Sequence, residues 1–253
     1  LNDGLKVIDF SGDFRLSTPE VYRSWYNKEH NYPEGFKQAI YGIPETNSEK
    51  IENTDFIANP GCYPTGAILG ILPLVANSLV EKNIIVDSKS GVTGAGIKPK
   101  DVTNFANVND NFTAYGVSTH RHTIEIRECI NGVAQSDMNI QFTPHLLPVD
   151  RGIISTIYSR PIKQIENLMS YYQEYYVNAP FIRICDSPPT LKDVRGTNYC
   201  NIFTKFDENT GNIITITAID NLVKGAAGQA VHNMNIRLGI KETKGLELIP
   251  LRP

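Results

Sequence analysis

Long apolar runs, basic blocks and paired cysteines are all scarce in this chain of 253 residues, and each scarcity excludes a class of function. No apolar segment reaches the ~20 residues that a membrane-crossing helix needs, and no signal-peptide pattern is read at its start, so no membrane partner is expected. The 24 lysines and arginines are scattered and outnumbered by 27 acidic residues. A net charge of −3 gives no electrostatic reason to expect nucleic acid. The cysteines, Cys62, Cys129, Cys185 and Cys200, have neither disulfide-framework nor metal-site spacing, so a reducing, cytoplasmic setting is expected. Internal repeats and low-complexity segments are lacking too. What remains is an ordinary globular composition, 41% hydrophobic and 20% charged, sufficient for one large or two modest cores.

The pattern along the chain mixes helices and strands. Strands are predicted over 5–10, 55–58, 84–88, 138–142 and 153–159, with a hairpin pair over 198–205 and 213–219 around Asn209-Thr210-Gly211-Asn212. Thr18-Pro19-Glu20 opens a short helix to Tyr26, and further helices are predicted over 122–130, 164–177 and 222–239. The run 67–80 is apolar on nearly every side and reads as a buried helix. Residues 27–53 read as a polar loop region and 91–111 as a long glycine- and asparagine-rich loop, a length that is usually functional or mobile.

Chemistry concentrates in a few segments. Cys62 sits in Asn59-Pro60-Gly61-Cys62-Tyr63-Pro64-Thr65, where Pro60-Gly61 stops a strand and Pro64 suits the first turn of the helix that follows. A cysteine at a helix N-terminus meets free backbone N–H groups and the positive end of the dipole, which favour a thiolate and a lowered pKa. A buried structural cysteine is the alternative. His120-Arg121-His122 supplies a sequence-distant imidazole, the layout of a cysteine nucleophile and its base. On a strand, His-x-His would put both rings on one face as metal ligands do, but no third ligand is suitably spaced, so no metal is expected. Glycines in Ser90-Gly91-Val92-Thr93-Gly94-Ala95-Gly96 let a ligand approach the backbone. In the segment from Asp220 to Gln229, Asn221 reads as the N-cap of the last helix.

These segments occur in one order with Val7-Ile8-Asp9-Phe10-Ser11-Gly12-Asp13-Phe14-Arg15-Leu16, Pro144-His145-Leu146 and Arg151-Gly152-Ile153. Together they resemble the N-acetyl-gamma-glutamyl-phosphate reductase family over essentially the whole chain. The resemblance implies an α/β protein with a partial Rossmann-like domain plus a mixed-sheet α+β catalytic domain of the glyceraldehyde-3-phosphate dehydrogenase-like type. Residues 1–60 would be the remainder of the dinucleotide-binding domain, with a C-terminal helix over 221–240 packing on it, and 61–220 the catalytic and oligomerisation domain. It further implies NADP(H) as cofactor, a homodimer or homotetramer, and a place in arginine biosynthesis. The implied reaction reduces N-acetyl-gamma-glutamyl phosphate to N-acetylglutamate semialdehyde plus phosphate. The family's opening strand, glycine-rich phosphate turn and helix precede nothing here that matches them, so roughly the first half of the dinucleotide-binding domain is expected to be missing from this sequence.

Carried onto this chain, the resemblance makes Cys62 the nucleophile and His122 the acid/base, with His120 as runner-up. Arg121 and Arg151 would hold a substrate carboxylate or phosphate, or form ordinary ion pairs. Glu125 would orient His122 or hold the substrate amide, or merely face solvent. Ser90, Gly91 and Gly94 would approach the nicotinamide, Gly96 would help shape their loop, and Asn221 would bond the carboxamide. His145 reads as a core histidine, and Gly225, Ala226, Ala227, Gly228 and Ala230 as small residues that permit close helix approach. Ile124 stands where the family motif has proline, which would loosen the start of that helix. Competing readings are an aspartate-semialdehyde-type dehydrogenase, a cofactor-free cysteine hydrolase using Cys62 and His122, and a non-catalytic scaffold.

Overall fold

The computed structural model describes residues 4–96, 98, 100–134 and 136–251. The opening part alternates short elements: β1 (Val7–Asp9), α1 (Pro19–Tyr26), β2 (Ile40–Tyr41), α2 (Pro44–Glu52) and β3 (Phe56–Ala58). β1 and β2 both pair in parallel with β3, which lies between them. The start of α1 follows its sequence signal, because the Thr18 hydroxyl accepts the Val21 N–H and Pro19 occupies the first turn. β2 and α2 correct the expectation of a loop over 27–53. Only Pro44 and Ile51 of α2 are buried, which leaves almost no apolar period to read in the sequence.

A long buried helix, α3 (Cys62–Ala76), comes next. It begins earlier and ends sooner than the apolar run 67–80, since Val80 already belongs to the following strand. Pro73 lies inside this helix, so the carbonyl of Leu69, four residues back, loses its usual donor. The Tyr176 hydroxyl donates to that carbonyl at 2.6 Å, and the Tyr172 hydroxyl donates to the next one, Gly70, at 2.7 Å. Tyr176 thus supplies the donor that the proline lacks, and Tyr172 adds a second bond beside it.

The remaining elements are β4 (Val80–Ser90), α4 (Phe105–Val108), β5 (Thr113–Ala114), α5 (His122–Asn131), β6 (Asn139–Leu146), β7 (Ile153–Pro161), α6 (Leu168–Tyr175), β8 (Ile182–Ile184), β9 (Cys200–Asp207), β10 (Asn212–Ile219) and α7 (Gly228–Arg237). Seven of them form a mixed sheet in the order β5-β6-β4-β7-β10-β9-β8. β4 pairs with β6, and β8 with β9, in parallel; the other neighbours are antiparallel. α3 lies close against this sheet. A Cβ on Gly70 would come within 2.5 Å of Ile157 and 2.8 Å of Thr217, and one on Gly66 within 3.1 Å of Thr217. The two glycines, one helical turn apart, provide the flat stripe that lets the helix settle there.

The last helix is not continuous over 222–239: a π-turn, Val223–Ala227, precedes α7. α7 returns to the opening part of the chain. Gln229 and Asn233 both donate to the Gly42 carbonyl, at 2.8 and 2.9 Å, and Ile236 packs with Ile51 and Ile57. Lys224 in the π-turn meets Glu45 of α2 at 2.7 Å, with side chains 0% and 2% exposed. Breaking a buried pair strands one charge. Lys224→Met is therefore expected to cost about 3–5 kcal/mol in urea denaturation, and the double variant Glu45→Leu/Lys224→Met to recover most of the loss.

Candidate active site

β3 runs into Asn59-Pro60-Gly61, and α3 starts at Cys62. Around this junction the structure gathers residues from four separate stretches. Glu125, in the first turn of α5, is only 2% exposed, which overturns the reading of a solvated helix face. Its Oε1 accepts the Gly61 N–H at 2.7 Å and the Tyr41 hydroxyl at 2.7 Å. Its Oε2 faces Arg15 Nη1 at 3.5 Å and His122 Nε2 at 3.9 Å. The other Arg15 nitrogen, Nη2, donates to the Phe10 carbonyl at 2.9 Å.

Gly61 is where these groups converge, and it must lack a side chain. A Cβ there would lie 2.5 Å from His122 Nε2 and 2.9 Å from Arg15 Nη1. From behind, Gly225 of the π-turn presses so closely that its own Cβ would fall 2.9 Å from the Cβ of Cys62. Asn59 fixes the same loop by donating to Ala226 O at 3.1 Å and accepting from Asn233 at 3.2 Å.

The electrostatics correct one expectation. Burial pushes the Cys62 thiol up to about 11, although the Tyr63 N–H at the helix terminus and the charge of Arg15 pull the other way and Glu125 adds to the rise. Burial also drives His122 well below its usual range, with His120, Arg15 and Arg121 contributing. Both shifts favour the uncharged thiol and the uncharged imidazole.

Beside this junction lies a cleft of about 1020 Å³ lined by Arg15, Tyr63, His120, Arg121 and His122 together with Ser90, Gly91 and Gly94. Arg121 lies over the Tyr26 ring, 4.7 Å from its centre. Arg151 and Asn221 stand behind the cleft. Arg151 Nη2 is 3.0 and 2.9 Å from the two carboxylate oxygens of buried Asp220. Asn221 accepts the Gly152 N–H at 2.7 Å and donates to the Thr93 hydroxyl at 2.9 Å, so both ends of its amide hold loops. The cap belongs instead to Asp220, whose Oδ1 accepts the N–H groups of Leu222 and Val223. Gly91 has a packing reason to be glycine, since a Cβ would lie 2.7 Å from Asp150 O. His145 is not a core residue: its Nδ1 is 3.0 Å from Asp87 and its ring stacks on exposed Phe112. Ile124 does not loosen α5. It is 1% exposed and packs with Leu16, Tyr22 and Phe36. Arg15 and Tyr41 are site residues that sequence reasoning missed, because only tertiary contacts bring them to Glu125. Among the described residues no group of histidines, cysteines and carboxylates could hold a metal ion, and no helix is long and apolar enough to cross a membrane.

Residues 62–221 match the family model for the semialdehyde dehydrogenase dimerisation domain. An N-acetyl-gamma-glutamyl-phosphate reductase of Desulfotalea psychrophila is 51% identical over 99% of this chain and 74% of its own length. This chain belongs to the N-acetyl-gamma-glutamyl-phosphate reductase family. A reductase of that name from Methanosphaera stadtmanae is 46% identical over 100% of the chain and 75% of its own length. The chain thus spans about three-quarters of the length of these relatives. Among solved structures, aspartate semialdehyde dehydrogenase II of Vibrio cholerae matches with a TM-score of 0.71 at 17% identity, covering 94% of this chain and 74% of that one. The aspartate semialdehyde dehydrogenase of Candida albicans, solved with NADP, gives 0.63 at 15%, covering 92% and 70%. Those structures share the fold; the activity follows the closer sequence relatives. The enzyme is an oxidoreductase that reduces N-acetyl-gamma-glutamyl phosphate to the semialdehyde, rather than an aspartate-semialdehyde dehydrogenase.

Only the thiolate is alkylated, so the pH profile of iodoacetamide labelling reads the balance of charges around Cys62. In the free protein the midpoint is expected at about 11. Arg15→Met removes a charge that lowers the thiol pKa and should move the midpoint up. Glu125→Gln removes one that raises it and should move the midpoint down.

Proposed function

We propose that Cys62 is the nucleophile and His122 the acid/base of this reduction, with NADP(H) as the hydride carrier. The carrying observation is the convergence of His122, Arg15 and the Glu125 carboxylate on Gly61, directly before Cys62, at a cleft also lined by Ser90 and two glycines. His122 takes the thiol proton as the substrate's anionic phosphate enters, because that charge stabilises the imidazolium that the empty site disfavours. Cys62 Sγ then forms a bond to the acyl carbon, the carbon–oxygen bond to phosphate breaks, and a thioester remains. Arg15 and Arg121, both lining the cleft, hold the phosphate and carboxylate of the substrate. Glu125 orients His122 and fixes the Gly61 N–H; its engagement with Tyr41 and Gly61 leaves it a positioning residue and not an amide binder. After reduction the carbon–sulfur bond breaks to release the aldehyde, and the thiolate regains its proton from His122.

The residues present fit a nicotinamide. Gly94 presents no side chain to the cleft, where a Cβ would stand 3.3 Å from the Ser90 hydroxyl and 3.7 Å from the Asn221 amide. Ser90, Gly91 and Gly94 would hold the ring, with Asn221 and Arg151 bracing their loops from behind. NADPH, when bound there, supplies the hydride that reduces the thioester. Residues 1–60 with the final helix would carry what this chain has of the dinucleotide-binding domain, and 61–220 the catalysis. A homodimer through the seven-stranded sheet is supported by Ile85 and Tyr158, paired neighbours on adjacent strands that are 41% and 37% exposed.

The test is phosphate-dependent reduction of NADP by N-acetylglutamate semialdehyde, run with this chain and with the chain extended to the length of its relatives. Cys62→Ser is expected to abolish turnover, and His122→Gln to lower kcat by ~10²–10⁴. Full activity in Cys62→Ser would sink the assignment, and thioester hydrolysis without NADP would move the site to the hydrolase class.

A further inference from the structure

His120 does not duplicate His122. It lies just before α5 with its Nδ1 accepting the backbone N–H of His122 at 3.2 Å. A nitrogen whose lone pair accepts a hydrogen bond carries no proton, so the single proton of the neutral ring is on Nε2. Among the described residues nothing accepts from that Nε2. The ring is fixed on its sides by edge-on packing with Tyr63, Tyr115, Phe142 and His122, with centres 4.7–5.8 Å apart. It also lines the cleft beside His122 and Arg121.

We propose that His120 is a second catalytic histidine, a neutral donor whose Nε2–H bonds an oxygen of the bound acyl phosphate. The assignment rests on the reading of Cys62 and His122 as the reacting pair. The titratable groups facing the ring are Tyr63, Tyr115, His122 and the cation Arg121. None supplies the negative charge that would hold a second proton. Burial and Arg121 push His120 down to about 4, so near neutral pH it offers one directed N–H and does not exchange protons with the substrate. The arrangement divides labour within His-x-His: one ring moves a proton while the other stabilises charge on oxygen.

Two substitutions separate this role from a structural one. In His120→Asn the side-chain oxygen takes the place of Nδ1 and keeps accepting from His122, while the donor is lost. In His120→Gln the amide nitrogen reaches the place of Nε2 and keeps donating, while the acceptor is lost. Both are measured in the phosphate-dependent assay beside Cys62→Ser, with thermal melts and Cys62 alkylation profiles to show an intact fold and thiol. The expected result is a fall in kcat of ~10²–10³ for Asn, as for loss of an oxyanion donor, and less than tenfold for Gln. A rise in the KM for phosphate with Asn would place the accepting oxygen on the phosphoryl group, and a fall in kcat alone would place it on the acyl carbon; either supports the donor. Asn as active as the parent, Gln worse than Asn, or equal losses in both would overturn it and leave His120 as a prop for the start of α5. Activity in Cys62→Ser would instead overturn the underlying site reading.

Discussion

A carboxylate removed from water must be ringed by donors, and the site of this reductase is arranged around that requirement at Glu125. No single segment provides enough of them. Arg15 comes from the loop after β1, Tyr41 from β2, and the Gly61 N–H from the junction of β3 and α3. Satisfying one buried charge therefore ties the small parallel sheet to helices α3 and α5 and fixes the backbone on which Cys62 is mounted. The same carboxylate makes the thiol harder to ionise while Arg15 makes it easier. The opposite charges of Arg15 and Glu125 offset one another at the Cys62 thiol, and burial decides the direction of its shift.

The helix terminus at Cys62 illustrates how magnitudes choose between two sound arguments. A helix dipole stabilises a nearby anion by ~0.3–1 kcal/mol, and by up to ~2 in sheltered geometry. Removing a thiolate from water costs more than that at this depth, so the thiol stays protonated until a ligand changes the local charge. A protonated thiol is also a protected one, since protonated sulfur reacts slowly with oxidants and stray electrophiles.

Much of the fold could be read from short-range pattern: the cap at Thr18, the hairpin of β9 and β10, the buried α3, and the strand-turn-helix that presents Cys62. Failures occurred where the decisive partner was distant in sequence. α2 shows little periodicity, and its buried Ile51 packs with Ile236 of α7, almost two hundred positions away. Asp220 and Asn221 are both good caps in isolation, and only the loops bearing Thr93 and Gly152 determine that the first caps while the second braces. Glu125 looks like an ordinary surface carboxylate on an amphipathic helix. Nothing within α5 indicates that its neighbours are Tyr41 and Gly61. The resemblance to a known family supplied the chemistry of Cys62 and His122, whereas Arg15 emerged only from three-dimensional geometry.

The contact of Gly225 with Cys62 has a consequence for biosynthesis. One side of Cys62 is built from residues that include Arg15, Gly61 and His122, and its rear wall from the later turn that carries Gly225 and Ala226. During translation the cysteine leaves the ribosome long before residues 223–233 exist to cover it. Until then the Cys62 side chain lacks the wall that Gly225 provides, and its packing is completed only when the last helix docks.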